Sequence, residues 1–246
     1  MDRFLYLSMS GAKETLRAQA ANNHNLANAS TTGFRADLSA FQTREVAGAG
    51  HPSRAYATHS TSGWDDTQGA LISTGRALDV GIQGAGWIAV QAPDGREGYT
   101  RAGDLRIEPS GLLMNGAGHP VLGDAGPITV PPHSSVLIGT DGTVSIVPLG
   151  QGPETTAIVG RIKLVNPPAE SLVRGPDGLF RMRDGTDAPP DAGVQLSSGV
   201  LESSNVNVAD AMVNMIELSR HFDLQVKAMR TAEENGAASA QLLRSS

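Results

Sequence analysis

Two helix-forming segments at opposite ends of a 246-residue chain, Ser8 to Asn28 and Val208 to Leu243, bracket a glycine-rich stretch that reads as strands and turns. In the first segment apolar residues fall at alternating steps of four and three: Leu5, Met9, Ala12, Leu16, then the polar Gln19 and Asn23, then Leu26. That spacing is a narrow seam of coiled-coil type. The second segment repeats it through Val208, Met212, Met215, Phe222, Val226 and Met229, with Ile216 and Leu218 widening the stripe and Ser219 interrupting it. At 1.5 Å per residue such a helix would reach about 54 Å, whereas helices in globular domains average roughly 11 to 12 residues. One small domain could hardly bury it, so the layout predicts a subunit built to be assembled.

Between the ends, Leu78, Val80 and Ile82 alternate with Asp79, Gly81 and Gln83, the period of a half-buried strand. Turn signals follow at Pro93-Asp-Gly95, Pro109-Ser-Gly111, Asn115-Gly116, Asp141-Gly142 and Gly175-Pro-Asp-Gly178. Strand candidates lie at Trp87 to Val90, Val136 to Ile138, Val144 to Val147 and Ile158 to Val165. This rhythm describes an antiparallel sandwich or barrel. Gln42 to Thr74 is rich in Ala, Gly, Ser and Thr without clear period and reads as an extended linker with one hairpin. The fold class expected is therefore α+β, with long terminal helices paired as a coiled-coil-like stalk and an inserted, mostly antiparallel β domain. The divisions are residues 1–34 (first core helix), 35–75 (linker and hairpin), 76–198 (β-rich outer domain) and 199–246 (the helix returning to the core).

Charge divides along the same lines. The net charge is −6, all of it carried by residues 47–207, because both ends are close to neutral. Near-neutral ends can pack against copies of themselves while an acidic middle stays solvated. Nucleic acid is not an expected partner, since neither end presents a basic face. No stretch approaches the roughly 20 apolar residues of a membrane span. The opening residues lack a basic leader, so export without a cleaved signal is expected if the chain leaves the cytosol. The absence of cysteine excludes disulfides and thiolate metal sites.

Catalytic patterns fail on context. Gly84-Ala-Gly86-Trp-Ile-Ala89 fits a dinucleotide fingerprint, but its glycines lead into a strand where that fingerprint needs a helix. The six histidines have no metal-ligand spacing, and Asp65-Asp66 reads as a solvated turn beside Gly63. No catalytic residue, cofactor site, metal site or small-molecule substrate is expected. Asn22, Asn23, Asn25 and Asn28 crowd the first helix although Asn is a poor helix former. Hydrogen-bond partners on neighbouring chains would explain them, as buried Asn sets register in coiled coils. The same composition would make an isolated helix marginal, leaving the ends disordered until they meet partners. A membrane-surface helix is disfavoured because neither polar face is basic.

Ala21-Asn-Asn-His-Asn-Leu-Ala-Asn-Ala-Ser-Thr-Thr-Gly-Phe-Arg35 resembles the amino-terminal signature of bacterial flagellar rod and hook proteins. In it Gly33 can take a left-handed conformation that ends the helix, and Phe34 can anchor the outgoing chain. Gly199-Val-Leu-Glu-Ser-Ser-Asn-Val-Asn207 and the helix that follows are similar to the matching carboxy-terminal signature, with Asn205 and Asn207 placed to cap. Thr74 to Gly84, Gly86-Trp87, Tyr99-Thr-Arg-Ala-Gly103, Gly111-Leu-Leu113 and Pro120-Val-Leu-Gly123 resemble the β domain of rod members. Met1-Asp-Arg and Ser10-Gly-Ala-Lys-Glu14 point to the proximal, FlgF-type branch over the longer distal rod protein; His24-Asn25 departs from the usual asparagine run.

The resemblance implies a structural subunit of the periplasmic basal-body rod, exported by the flagellar type III apparatus. Partners would be itself and other proximal and distal rod proteins, with Leu5, Met9, Leu16 and Leu26 packing on Met212, Met215, Phe222, Val226 and Met229 of the same chain and its neighbours, and with Ile216 also in the assembly interface. Asn22, Asn23, Asn28, Gly33, Phe34, Asn205 and Asn207 complete the expected assembly interface. The distal rod protein, a β-rich binding module and a wall hydrolase are the rival readings.

Overall fold

A computed structural model describes residues 3–45, 55–152 and 155–245. The fold is α+β, with a helix at each end and a mostly antiparallel β region between. The Met1-Asp2 opening and residues 46–54 of the expected linker lie outside the described residues. The chain forms two compact units. The first comprises Met1–Ala29, Ala36–Asp65 and Val206–Ser246; the second comprises Ser30–Arg35 and Asp66–Asn205.

In the first unit, helix α1 (Arg3–Ala27) packs against a hairpin of β1 (Asp37–Glu45) and β2 (Ala55–Trp64), and against helix α2 (Val208–Ser245). The hairpin pairs antiparallel from Asp37 with Trp64 to Glu45 with Ala55, and a register shift falls between Leu38 and Ser39. A two-stranded ribbon is marginal alone, and the amides of α1 fasten this one. Asn25 donates to the Asp37 carbonyl (2.9 Å) and accepts from its N–H (2.8 Å), while His24 Nδ1 lies 2.7 Å from the Asp37 carboxylate. The His24-Asn25 departure thus has a local use.

Helix α1 ends where the Asn28 side chain donates to the His24 carbonyl at 2.9 Å. Gly33 does not terminate it; its left-handed backbone (φ +66°) falls in the turn beyond. At the start of α2, Asn207 Oδ1 accepts from the N–H groups of Ala209 (3.0 Å) and Asp210 (3.4 Å), an N-cap. Asn205 instead sends its amide to the Thr67 carbonyl (3.0 Å).

The second unit holds β3 (Leu71–Ser73), β4 (Val80–Gln83), β5 (Trp87–Gln91), β6 (Glu97–Thr100), β7 (Arg106–Ile107), β8 (Leu113–Met114), β9 (Leu122–Gly123) and β10 (Gly126–Pro127). They are followed by β11 (His133–Ile138), β12 (Thr143–Pro148), β13 (Ala157–Arg161), β14 (Leu164–Val165), β15 (Leu172–Arg174), β16 (Phe180–Met182), β17 (Gln195–Ser198) and β18 (Val200–Glu202). A five-stranded sheet runs β14-β5-β6-β16-β15, a three-stranded one β11-β12-β13, and two-stranded ribbons include β17-β4 and β18-β3.

One aliphatic core fills the space between these sheets, built on Val80, Ile88, Val90, Leu105, Leu113, Val121, Val144 and Leu196. β-branched side chains suit such pleated surfaces, and each fully buried one contributes roughly 1.5–3 kcal/mol. β4 is covered on both faces rather than half-buried, because Leu71 and Val200 press on Gly81. The expected strand from Ile158 to Val165 is two strands. The chain breaks between them, where Ile162 bridges to Gly123 and the Lys163 N–H turns to the Leu122 carbonyl.

The Tyr99 hydroxyl accepts the Ala188 N–H at 2.6 Å inside the core, where burial raises its pKa and keeps it neutral. Tyr99→Phe orphans that amide and should lower the unit's stability by about 1–3 kcal/mol. Urea unfolding followed by tryptophan fluorescence checks this, and an unshifted midpoint would exclude it.

Candidate functional site

Three segments far apart in sequence meet in the second unit: residues 30–35, 66–73 and 199–205. Their common point is Glu202, fully buried at the end of β18. One carboxylate oxygen lies 2.6 Å from Arg35 Nη1 and accepts the Gly69 N–H at 3.0 Å; the other accepts Arg101 Nη1 at 2.9 Å. The Glu202 carbonyl also takes the Gly33 N–H at 2.8 Å. Gly33 needs its positive φ and its missing side chain here, because a Cβ would stand 2.3 Å from the Arg101 carbonyl carbon. Gly69 is equally confined, with the Ser203 carbonyl oxygen 2.0 Å from where its Cβ would be.

Aromatic rings close the other side of the cluster. The Arg174 guanidinium sits between Phe34 and Phe180, 4.9 and 4.8 Å from the ring centroids, and donates to the Arg35 carbonyl. Phe180 tilts against Trp87 at 4.6 Å, and Arg101 lies 5.5 Å over the Trp87 ring while donating to the Gly84 carbonyl at 2.7 Å. Contacts of this kind add about 0.5–2 kcal/mol each, the larger values where water is excluded. Burial pulls the Arg35 pKa below its ordinary value, and the adjacent Glu202 opposes that fall. The cluster presents no nucleophile beside a base, and its one carboxylate is already engaged by two guanidiniums, an arrangement that ties segments together. Among the described residues no group of three or more His, Asp or Glu could hold a metal ion.

In the first unit the helices meet through small residues. Asn22 Nδ2 donates to the Ala211 carbonyl at 2.8 Å, while Gly11 lies against the Gln225 side chain, so α1 and α2 run antiparallel. On α1, Ser8, Ala12, Glu14, Thr15 and Ala18 are buried; on α2, Ala211 and Ala232 are buried, and Met215, Leu218, Phe222, Val226 and Met229 half-buried. Leu5, Met9 and Leu16 are 39%, 54% and 50% exposed, and Met212 and Ile216 are 52% and 56% exposed. The α1 seam marked by Leu5, Met9 and Leu16 is thus turned about one residue, roughly 100°, from the face that meets α2 within the chain. Leu26 is half-buried, Asn23 is exposed, and Asn22, Asn25 and Asn28 find partners within their own chain.

The sequence had flagged Gly33, Phe34 and Asn207, whereas the charges of Arg35, Arg101, Arg174 and Glu202 went unassigned. Three of those four lie inside the quoted signature segments. Arg35 and Glu202 are 167 positions apart, so no local spacing could pair them.

Signature residues thus build a buried ion cluster in the second unit, and bulky apolar groups are exposed on the terminal helices of the first, features of a structural protein. Residues 197–242 match the family model described as flagellar basal body rod FlgEFG protein C-terminal, and residues 81–146 match the flagellar hook protein FlgE/F/G D1 domain. The chain is 44% identical to the flagellar basal-body rod protein FlgF of Escherichia coli (strain K12), over 99% of both chains. It is 45% identical to FlgF of Salmonella typhimurium, again over 99% of both. Flagellar basal-body rod protein FlgG of Bacillus subtilis is 33% identical over 95% of this chain and 96% of its own. The chain belongs to the flagellar basal-body rod protein family, of FlgF type. Its role is that of a structural subunit, not an enzyme.

Removing one partner of a buried ion pair strands the other, at about 3–5 kcal/mol. Glu202→Ala should therefore lower the denaturant midpoint of the second unit far more than Arg96→Ala, whose pair with Asp94 is exposed and screened by water. Equal shifts from the two variants would refute the ranking.

Proposed function

We propose that the chain polymerises through its terminal helices into the proximal part of the flagellar rod, the shaft that carries torque from motor to hook. The observation that carries this reading is the outward placement of Leu5, Met9 and Leu16 on α1 and of Met212 and Ile216 on α2. Exposed apolar rows on a helix suit an interaction site, and a head-to-tail contact that does not close builds a filament. In this reading neighbouring copies and sibling rod proteins cover those rows, and residues 1–34 and 199–246 are the polymerising element. Close-packed interfaces resist deformation, which is what a shaft under torsion requires.

The same reading sends the chain to the periplasm through the flagellar export apparatus without a cleaved leader. The helices suit that route, because an isolated helix with several asparagines is marginal and unfolds readily. None of the described helices is long and apolar enough to cross a membrane.

Met212→Asp and Ile216→Asp place charge on the outward row without touching the pair's small-residue contact. Circular dichroism of the purified variants should match the parent chain, while cells carrying either variant should lose swimming and lack complete rods in electron micrographs. Normal basal bodies in such cells would overturn the assignment. Phe222→Asp serves as contrast: half-buried on the α1-facing stripe, it should also loosen the helix pair.

A further inference from the structure

We infer that Glu202 is an interlock between the two ends of the chain: the segment bearing Gly33, Phe34 and Arg35 docks on the β unit only after the segment around Glu202 is in place. Glu202 presents acceptors to three segments, through its carbonyl to Gly33, through one carboxylate oxygen to Arg35 and Gly69, and through the other to Arg101. The backbone around it repeats the tie. Ser203 N–H donates to the Ala70 carbonyl, and Asn205 N–H donates to the Phe34 carbonyl.

The charges make docking directional. Arg35 is 0% exposed and Arg101 4%, and each raises the cost of keeping the other charged and buried. Without the carboxylate between them, bringing Arg35 in would place two guanidiniums together where water does not reach. The converse arrangement is tolerable, because Glu202 docked without Arg35 still has Arg101 and the Gly69 N–H. The amino-terminal signature is therefore conditional on the carboxy-terminal one, although it is synthesised first. Closing a contact across 167 positions is slow, so the turn at Gly33 stays open until the returning strand arrives.

Native-state hydrogen exchange on the full-length chain tests this, because Gly33 donates to the Glu202 backbone carbonyl, which a side-chain change leaves intact. In Glu202→Gln, protection at Gly33 should fall about tenfold or more while Val90 and Leu113 in the core keep theirs. In Arg35→Met, Gly33 should lose protection while Gly69 and Ser203 retain it. Gly33 staying protected in Glu202→Gln, or Ser203 opening as far as Gly33 in Arg35→Met, overturns the interlock. Should the substituted chains fail to fold, the parent chain in sub-denaturing urea decides: its Gly33 amide must never outlast that of Ser203, and the reverse order refutes the proposal.

Discussion

One carboxylate held between two guanidiniums, out of reach of water, is the interaction on which the β unit's chain crossings depend. A buried ion pair adds little net stability over a well-packed apolar substitute, because desolvating the charges offsets most of their attraction. Its effect is selectivity. Arg35 and Arg101 share one counter-charge, and the Gly69 N–H finds its acceptor, in the carboxylate at position 202, and Gly33 and Gly69 leave no room for a displaced backbone. A shifted register at β18 would take the shared carboxylate away from two buried guanidiniums, so the arrangement penalises misfolded alternatives.

The helical unit shows the opposite economy. On α1 the buried positions are mostly small, Ser8, Ala12, Thr15 and Ala18, which remove little apolar area from water, while Leu5, Met9 and Leu16 on α1 and Met212 and Ile216 on α2 are exposed. By area alone that is a poor way to stabilise a monomer. The exposed rows on these helices are the surface that the proposed polymerisation would cover.

Much of this was legible from the residues. The α+β layout, the antiparallel rhythm and the family followed from hydrophobic period, turn glycines and the two signature segments. The inward face of α1 was harder to find, since apolar spacing marks where large side chains fall, and here the contact is made by small ones. Ser8 and Thr15 carried no hydrophobic signal, so the stripe at Leu5, Met9 and Leu16 drew attention to the wrong side for the intrachain contact. The amides of the first helix were legible as a cluster but not by destination: Asn25 and Asn28 serve turns within a dozen residues, and Asn22 reaches α2. The ion cluster could not be assembled from spacing, because its members meet only through the completed sheet.

Beyond Ala232, α2 continues through Glu233 to Gln241 with every residue exposed. Helix there rests on local propensity, and Gly236 in its midst costs about 1 kcal/mol relative to alanine. A Cβ at Gly236 would meet nothing within 4 Å, so crowding does not explain the glycine. The far end of α2 is accordingly the most easily melted stretch of that helix, a compliant tip beyond the part anchored by burial.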